Sequence, residues 1–259
     1  MGAPCGLMDQ LACSLGAPGR ALPIVCRPDA VGEPVGLPPT VAVVGWPSGV
    51  KHALSGAASP YLVARTAAFM AKKALERAPG GRPLAHLTEL RPSELARAAP
   101  ASLPASMTGA AFLAAHGGVD DALSRVEPGT AYPLAAAAAF PVGENFRCEL
   151  ALALLRGLAA SRAGPGEPAY ADALAAVGEL MYQAHEGYSS VGLGCAETDA
   201  MVDALRGRIG RAGGVWGARI SGGGNGGTVA VLCERAALPA LEALAKELTF
   251  GEPFPGFIE

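Results

Sequence analysis

Strand-like runs stand at both ends of this chain while helical periodicity fills its middle, and that order limits the architecture before any single residue is weighed. Near the start, ALPIVCR (21–27), EPVGLP (33–38) and TVAVVGW (40–46) are short apolar runs separated by Pro, Gly and Asp, the punctuation of strands and turns. From Ser48 the period changes. Ser48 is read as a helix cap for KHAL, and YLVARTAAFMAKKALERA places Leu62, Val63, Ala67, Phe69, Met70 and Leu75 among Arg and Lys as a helix face does. PSELARA, MTGAAFLAAH, ENFRCELALALLRGLAAS, YADALAAVGELMYQAHEGY and ETDAMVDALRGRI carry helix to about residue 211, with AGPGEP as an internal loop. Strand character returns in GVWGARI and TVAVLCE, followed by a helix, LPALEALAKEL, and a Pro/Gly-rich end. Segregated strands and helices point to an α+β fold, an antiparallel sheet packed on helices. The alanine tract at 135–139 is read as compositional, and there is no internal repeat.

The opening stretch MGAPCGLMDQLACSLG reads as a helix with Pro4 in its first turn and a buried stripe of Leu7, Met8, Leu11, Ala12 and Leu15. Asp9 sits beside that stripe. A mid-helix Asp competes for backbone hydrogen bonds, and burial costs more unless a cation or donors hold the carboxylate. Two readings stand: a solvated Asp at the helix edge, or a carboxylate placed there for its chemistry.

A chain of 259 residues that is 51% hydrophobic supplies a core for one large domain or two small ones. Lys plus Arg is 20 against 23 Asp plus Glu, so no basic field gathers nucleic acid or anionic lipid. No apolar run approaches the roughly 18 residues that span a bilayer, and a signal-peptide pattern is absent, so the expectation is a cytoplasmic protein without nucleic-acid or membrane partners. The six cysteines are scattered without a CxxC pair and the four histidines lack HxxxH spacing, which suits reduced thiols and no metal site. The other informative stretch is ISGGGNGGTVAVL. A hairpin turn needs one or two residues with positive φ; five glycines around Asn225 exceed that, and fit either a run of amides open to phosphate or a tight turn where backbones cross. Neither the Walker A pattern nor GxGxxG is present.

PCGLMDQ (4–10), SGVKHAL (48–54) followed by Tyr61 and Arg65, MYQAH (181–185) and GARISGGGNGGTVAV (217–231) together resemble, in order and spacing, the signature of galactokinase-like members of the GHMP sugar-kinase family. Within that group, GAPCGLMDQLACSLG, PVGENFRC and MYQAHEGYSSVGLGCAETDAMV look more like the arabinokinase pattern than the galactokinase one. The resemblance implies a catalytic pair: Asp9 as base or electrostatic positioner facing the anomeric hydroxyl, and Lys51 as the cation that keeps it ionised. It implies that Gly6, Asp9 and Tyr61 meet the sugar, although two extra residues separate His52 from Tyr61. It places Gly222, Gly223, Gly224, Gly226 and Gly227 beside the nucleotide phosphates. His52 and His185 are read as structural, and Glu144, Asn145 and Arg147 as holding the helix architecture.

The fold implied is the tail of a GHMP N-terminal domain (1–38, with the Asp9 helix) followed by a GHMP C-terminal domain (39–259). The family's acidic sugar-binding motif and its Gly/Ser-rich loop for ATP and Mg2+ do not occur before the Asp9 helix here. The expectation is therefore a truncated, split or mis-called chain, with a separate chain as a potential source of the N-terminal half. The activity implied is ATP-dependent phosphorylation of L-arabinose to L-arabinose 1-phosphate. The alternatives are galactose as the sugar, or a non-catalytic sugar-sensing module on the same fold.

Overall fold

A computed structural model describes residues 6–26, 29–50, 59–248 and 254–256. In chain order the elements are α1 (Met8–Leu15), β1 (Arg20–Ala21), β2 (Ile24–Cys26), β3 (Asp29–Val31), β4 (Val35–Gly36), β5 (Val41–Pro47), α2 (Pro60–Arg77), α3 (Pro92–Ser102), β6 (Met107–Thr108), α4 (Gly109–His116), β7 (Ala131–Tyr132), α5 (Leu134–Ser161), α6 (Pro168–Ser190), α7 (Ala196–Ala204), a π-helical turn (Leu205–Ile209), β8 (Val215–Ile220), β9 (Thr228–Glu234), α8 (Leu238–Leu248) and β10 (Phe254–Gly256). Proline opens α2, α3 and α6 at the first helical turn, where its missing N–H costs nothing and its φ is already helical. The Thr108 hydroxyl caps α4 by accepting the Ala111 N–H, and Gly117 ends that helix in the left-handed region.

One four-stranded antiparallel sheet, in the order β10-β5-β9-β8, organises the C-terminal part of the chain. Its register sets Ala42 opposite Cys233, Val44 opposite Val231 and Trp46 opposite Val229. These six side chains form one face and are buried against Met201, Leu205, Leu241 and Leu244 of α7, the π turn and α8. On the other face Leu232 packs with Leu158, Tyr170, Leu174 and Val177 of α5 and α6. A second core joins α2, α3, α4 and the first turns of α5 around Met70, Phe112, Tyr132 and Leu134. The α+β expectation, with an antiparallel sheet packed on helices, is what the chain forms.

Two local expectations need correction. The alanine tract is structural: Ala137 and Ala138 are buried in the same core as Ala67, Ala71 and Ala74 of α2, because small side chains let α2 and α5 pack closely. The stripe on α1 is not buried: none of its residues is, and Leu7, Met8 and Leu15 are each about half exposed. The KHAL segment, for which Ser48 is read as the cap, lies outside the described residues. Pro4 lies outside the described residues.

Candidate active site

The hairpin between β8 and β9 carries the glycine run, and its path accounts for the composition. Gly222, Gly224, Gly226 and Gly227 have φ between 67° and 115°, and Asn225 lies at 62°, a region that glycine enters without strain. The loop is also threaded between two other lengths of backbone. A Cβ on Gly224 would stand 2.5 Å from the Leu193 carbonyl oxygen, and one on Gly226 would stand 2.8 Å from that of Val50. Hydrogen bonds fasten the crossing: Asn225 N–H donates to the Leu193 carbonyl, Gly227 N–H donates to Val50 O at 3.0 Å, and the Ser48 N–H and hydroxyl both donate to Gly227 O, at 2.8 and 2.9 Å. Ser48 is therefore occupied in a strand-end turn, where its Oγ also accepts the Val50 N–H at 3.2 Å. Two of the loop's amides are committed to protein carbonyls, so crossing backbones explain much of the run.

Behind the loop stands a charged network. Glu144 on α5 accepts from Arg219 Nη1 through one oxygen and from Arg147 Nε at 2.9 Å through the other. Burial disfavours the charge on Arg219, yet the Glu144 carboxylate outweighs this and holds its pKa above the ordinary value. The Arg219 guanidinium lies 5.5 Å from the centre of the Tyr188 ring, and Tyr188 Oη donates to Gly222 O at 2.7 Å. Burial raises the Tyr188 pKa, which keeps the phenol protonated as that donor. Asn145 Nδ2 donates to Glu149 at 2.9 Å. The architectural reading of Glu144, Asn145 and Arg147 holds, while Arg219 and Tyr188 went unread. Their signal was a lone arginine inside the apolar run GVWGARI, directly before the glycines.

His185 fastens the same end of the sheet. Its Nδ1 accepts the Ile220 N–H at 3.3 Å and its Nε2 lies 3.1 Å from Asp199 Oδ1. These partners assign the neutral tautomer with the proton on Nε2. Burial, the largest influence, lowers its pKa despite the Asp199 carboxylate. A histidine held neutral in the fold and protonated more readily when unfolded stabilises the protein above the unfolded value near 6.5. That stability is lost as the pH falls through the folded pKa. His116 is also lowered by burial and acts in the same direction. The urea midpoint should therefore fall from pH 7.5 to 5.5, and His185→Gln, which keeps one donor and one acceptor without titrating, should flatten the slope. An unchanged slope in that variant would show that His185 is not the source.

Tyr61, second in α2, packs half-buried against the cluster of Tyr188, Val191, Leu193 and Ile220, so it shares the glycine hairpin's end of the sheet. Lys51 and His52 lie outside the described residues, but Val50, which precedes Lys51, is bonded to Gly227. Asp9 is exposed on α1, which packs on β2. Among the described residues no hydrogen bond or ion pair joins Asp9 to Tyr61 or to the hairpin. Gly6 precedes α1, and a Cβ there would meet nothing within 4 Å; packing does not require glycine at that point. Among the described residues no group of three or more His, Cys, Asp or Glu side chains gathers as a metal site, and the Glu144 carboxylate is taken by two arginines.

The sheet is backed by α6 on one face and α8 on the other, with a glycine hairpin bonded to the end of β5, and from α6 to α8 the chain carries a GHMP kinase C-terminal domain. Residues 169–249, from α6 to the end of α8, match the family described as GHMP kinases C terminal. Among individual proteins, the chain is 31% identical to L-arabinokinase of Arabidopsis thaliana over 265 residues, an alignment that takes in 90% of this chain and 24% of that protein. It is 31% identical to galactokinase of Chloroflexus aggregans over 240 residues, covering 90% of this chain and 47% of that one. The crystal structure of Lactococcus lactis galactokinase complexed with galactose shares the fold, with a TM-score of 0.66 at 18% identity over 98% of this chain and 54% of the other. The chain thus spans about half or less of the length of these relatives. No helix among the described residues is long and apolar enough to cross a membrane.

Proposed function

We propose that the chain is the C-terminal portion of an ATP-dependent sugar 1-kinase, with L-arabinose as acceptor and L-arabinose 1-phosphate as product. One observation carries this reading: the SGVKH segment and the glycine run are bonded together through Ser48, Val50 and Gly227, with Tyr61 packed beside them. Lys51, Tyr61 and Gly222, Gly223, Gly224, Gly226 and Gly227 then belong to one site. Asp9, with Gly6 before it, enters from the 1–38 segment to face the anomeric hydroxyl. ATP is the phosphoryl donor, and its principal loop and any Mg2+ ligands come from a segment outside this chain's described residues, on the same polypeptide or a separate one. Catalysis in this reading rests on positioning and charge stabilisation, since phosphoryl transfer has a loose transition state. The arabinose assignment is supported by the PVGENFRC and GYSSVGLG stretches, whose pattern is similar to that of arabinokinases. The commitment of the Asn225 and Gly227 amides favours the second reading, a sugar-sensing module without catalysis.

A coupled ATP-consumption assay with both sugars tests this. The isolated 259-residue chain should show no sugar-dependent turnover. Supplied with a segment carrying the acidic sugar-binding motif and the Gly/Ser-rich loop, it should turn over L-arabinose faster than galactose. Faster galactose turnover would sink the arabinose assignment, and none with either sugar would favour the sensor.

A further inference from the structure

At the start of β8, the end away from the glycine hairpin, α6 and the segment after α7 enclose a groove of about 410 Å³. Glu179 and Tyr182 of α6, Arg206 and Arg211 of the turn, and Trp216 of β8 line it. In a regular helix, residues five apart lie about 140° apart around the axis, so residues 206 and 211 would diverge. Here Gly210 N–H bonds to Leu205 O at 2.8 Å, a π-helical closure, and Gly210 then leaves the helix at φ 55°, ψ −168°. Both arginines consequently reach the same groove. Arg208, between them, bonds Glu247 of α8 at 2.6 Å instead. A π turn is rare and recurs at functional sites.

The groups in the groove are arranged but not saturated. The Arg206 guanidinium stacks 4.5 Å from the centre of the Tyr182 ring. Its carboxylate neighbours, Glu179 and Glu186, stand at 3.8 and 3.9 Å, too far for hydrogen bonds. Arg211 has no ion pair or side-chain hydrogen bond among the described residues. The Trp216 indole is half-buried and fixed, its N–H donating to Glu234 at 3.0 Å and its ring held edge-on by Tyr170. Two guanidinium forks with open donors match the oxygens of a phosphate. A rigid indole offers a flat surface to a ring, and Glu179 accepts a hydroxyl or amino hydrogen.

The geometry points to a second binding site, separate from the glycine hairpin, for a phosphate monoester carried on a ring: a sugar phosphate or a mononucleotide. Phosphate alone engages the arginines without the indole, and a neutral sugar the indole without the arginines, so neither component suffices.

The tryptophans supply the readout. Trp46 is fully buried in the core, so a change in intrinsic fluorescence on ligand binding reports Trp216. The full chain is titrated with galactose 1-phosphate, AMP, inorganic phosphate and galactose. A saturable change is expected below about 1 mM for at least one ring phosphate, weakening as NaCl rises. The tighter of the two identifies the source. Phosphate should bind at least tenfold more weakly and galactose give no signal. Arg206→Gln and Arg211→Gln should each weaken binding about tenfold with an unchanged unfolding midpoint, which also separates this groove from any binding beside Asp9. The proposal is overturned if neither ring phosphate saturates by about 10 mM, if phosphate or galactose binds as well, or if both variants bind like the parent. No turnover is needed, so the result stands apart from that of the kinase assay.

Discussion

Gly178→Ala should destabilise the chain by on the order of 3 kcal/mol or more, the upper range for overpacking a core. Gly178 of α6 lies directly on Gly217 of β8. A Cβ on Gly178 would fall inside the carbonyl group of Trp216, and one on Gly217 would stand 2.6 Å from the Gly178 carbonyl oxygen. The obstacles are backbone atoms, so no side chain can swing aside and α6 itself must lift from the sheet. That displacement pulls on the His185 bond to Ile220 and the Tyr188 bond to Gly222, transmitting the damage to the glycine hairpin. Thermal unfolding should show a fall of roughly 10 °C. Gly157→Ala on α5 is the control, since a Cβ there meets nothing within 4 Å; it should be neutral or stabilising by a few tenths to about 1 kcal/mol through helix propensity. Equal midpoints for the two variants would refute the close approach of α6 to β8.

Gly178 also marks where sequence reading stops. In AAVGELM it is one more small residue on a helix, and only the fold brings Gly217 beneath it. The order of strands and helices was legible because each element carries its own periodicity, as Ala42, Val44 and Trp46 do at alternate positions in β5. Periodicity reports an apolar face but not what covers it. The stripe on α1 is a true amphipathic pattern, and yet Leu7, Met8 and Leu15 remain about half exposed.

Polar partners were legible only where they are local. Glu144 and Arg147 lie three apart on one helix and could be read as a pair; the second arginine on Glu144 comes from β8. The glycine run announced a special loop, but its neighbours, Leu193 and Val50, belong to segments that folding brings there. ETDAMVDALRGRI read as one helix, and the π turn within it depends on Gly210 leaving the helix, a choice that helical periodicity does not encode.

Asp9→Asn should reduce sugar-dependent turnover by at least ~10²-fold once the nucleotide-binding segment is supplied, the scale of a positioned base, or about 2.7 kcal/mol of barrier. The substitution is nearly isosteric, and the structure makes it a clean test. Asp9 is exposed, and among the described residues it makes no hydrogen bond or ion pair, so none of them is a buried partner stranded when its charge is removed. Folding stability should stay within about 0.5 kcal/mol of the parent, as for an ordinary surface change. Under the proposed function sugar affinity should change little, because in that reading the carboxylate acts as the hydroxyl proton leaves. A solvated Asp at a helix edge gives the opposite pattern: stability unchanged and turnover unchanged. A fall of less than about tenfold would establish that pattern. A large fall in turnover at constant stability and sugar affinity requires that Asp9, although solvent-facing here, meets the acceptor in the working enzyme, because no fold defect or binding defect remains to account for the loss.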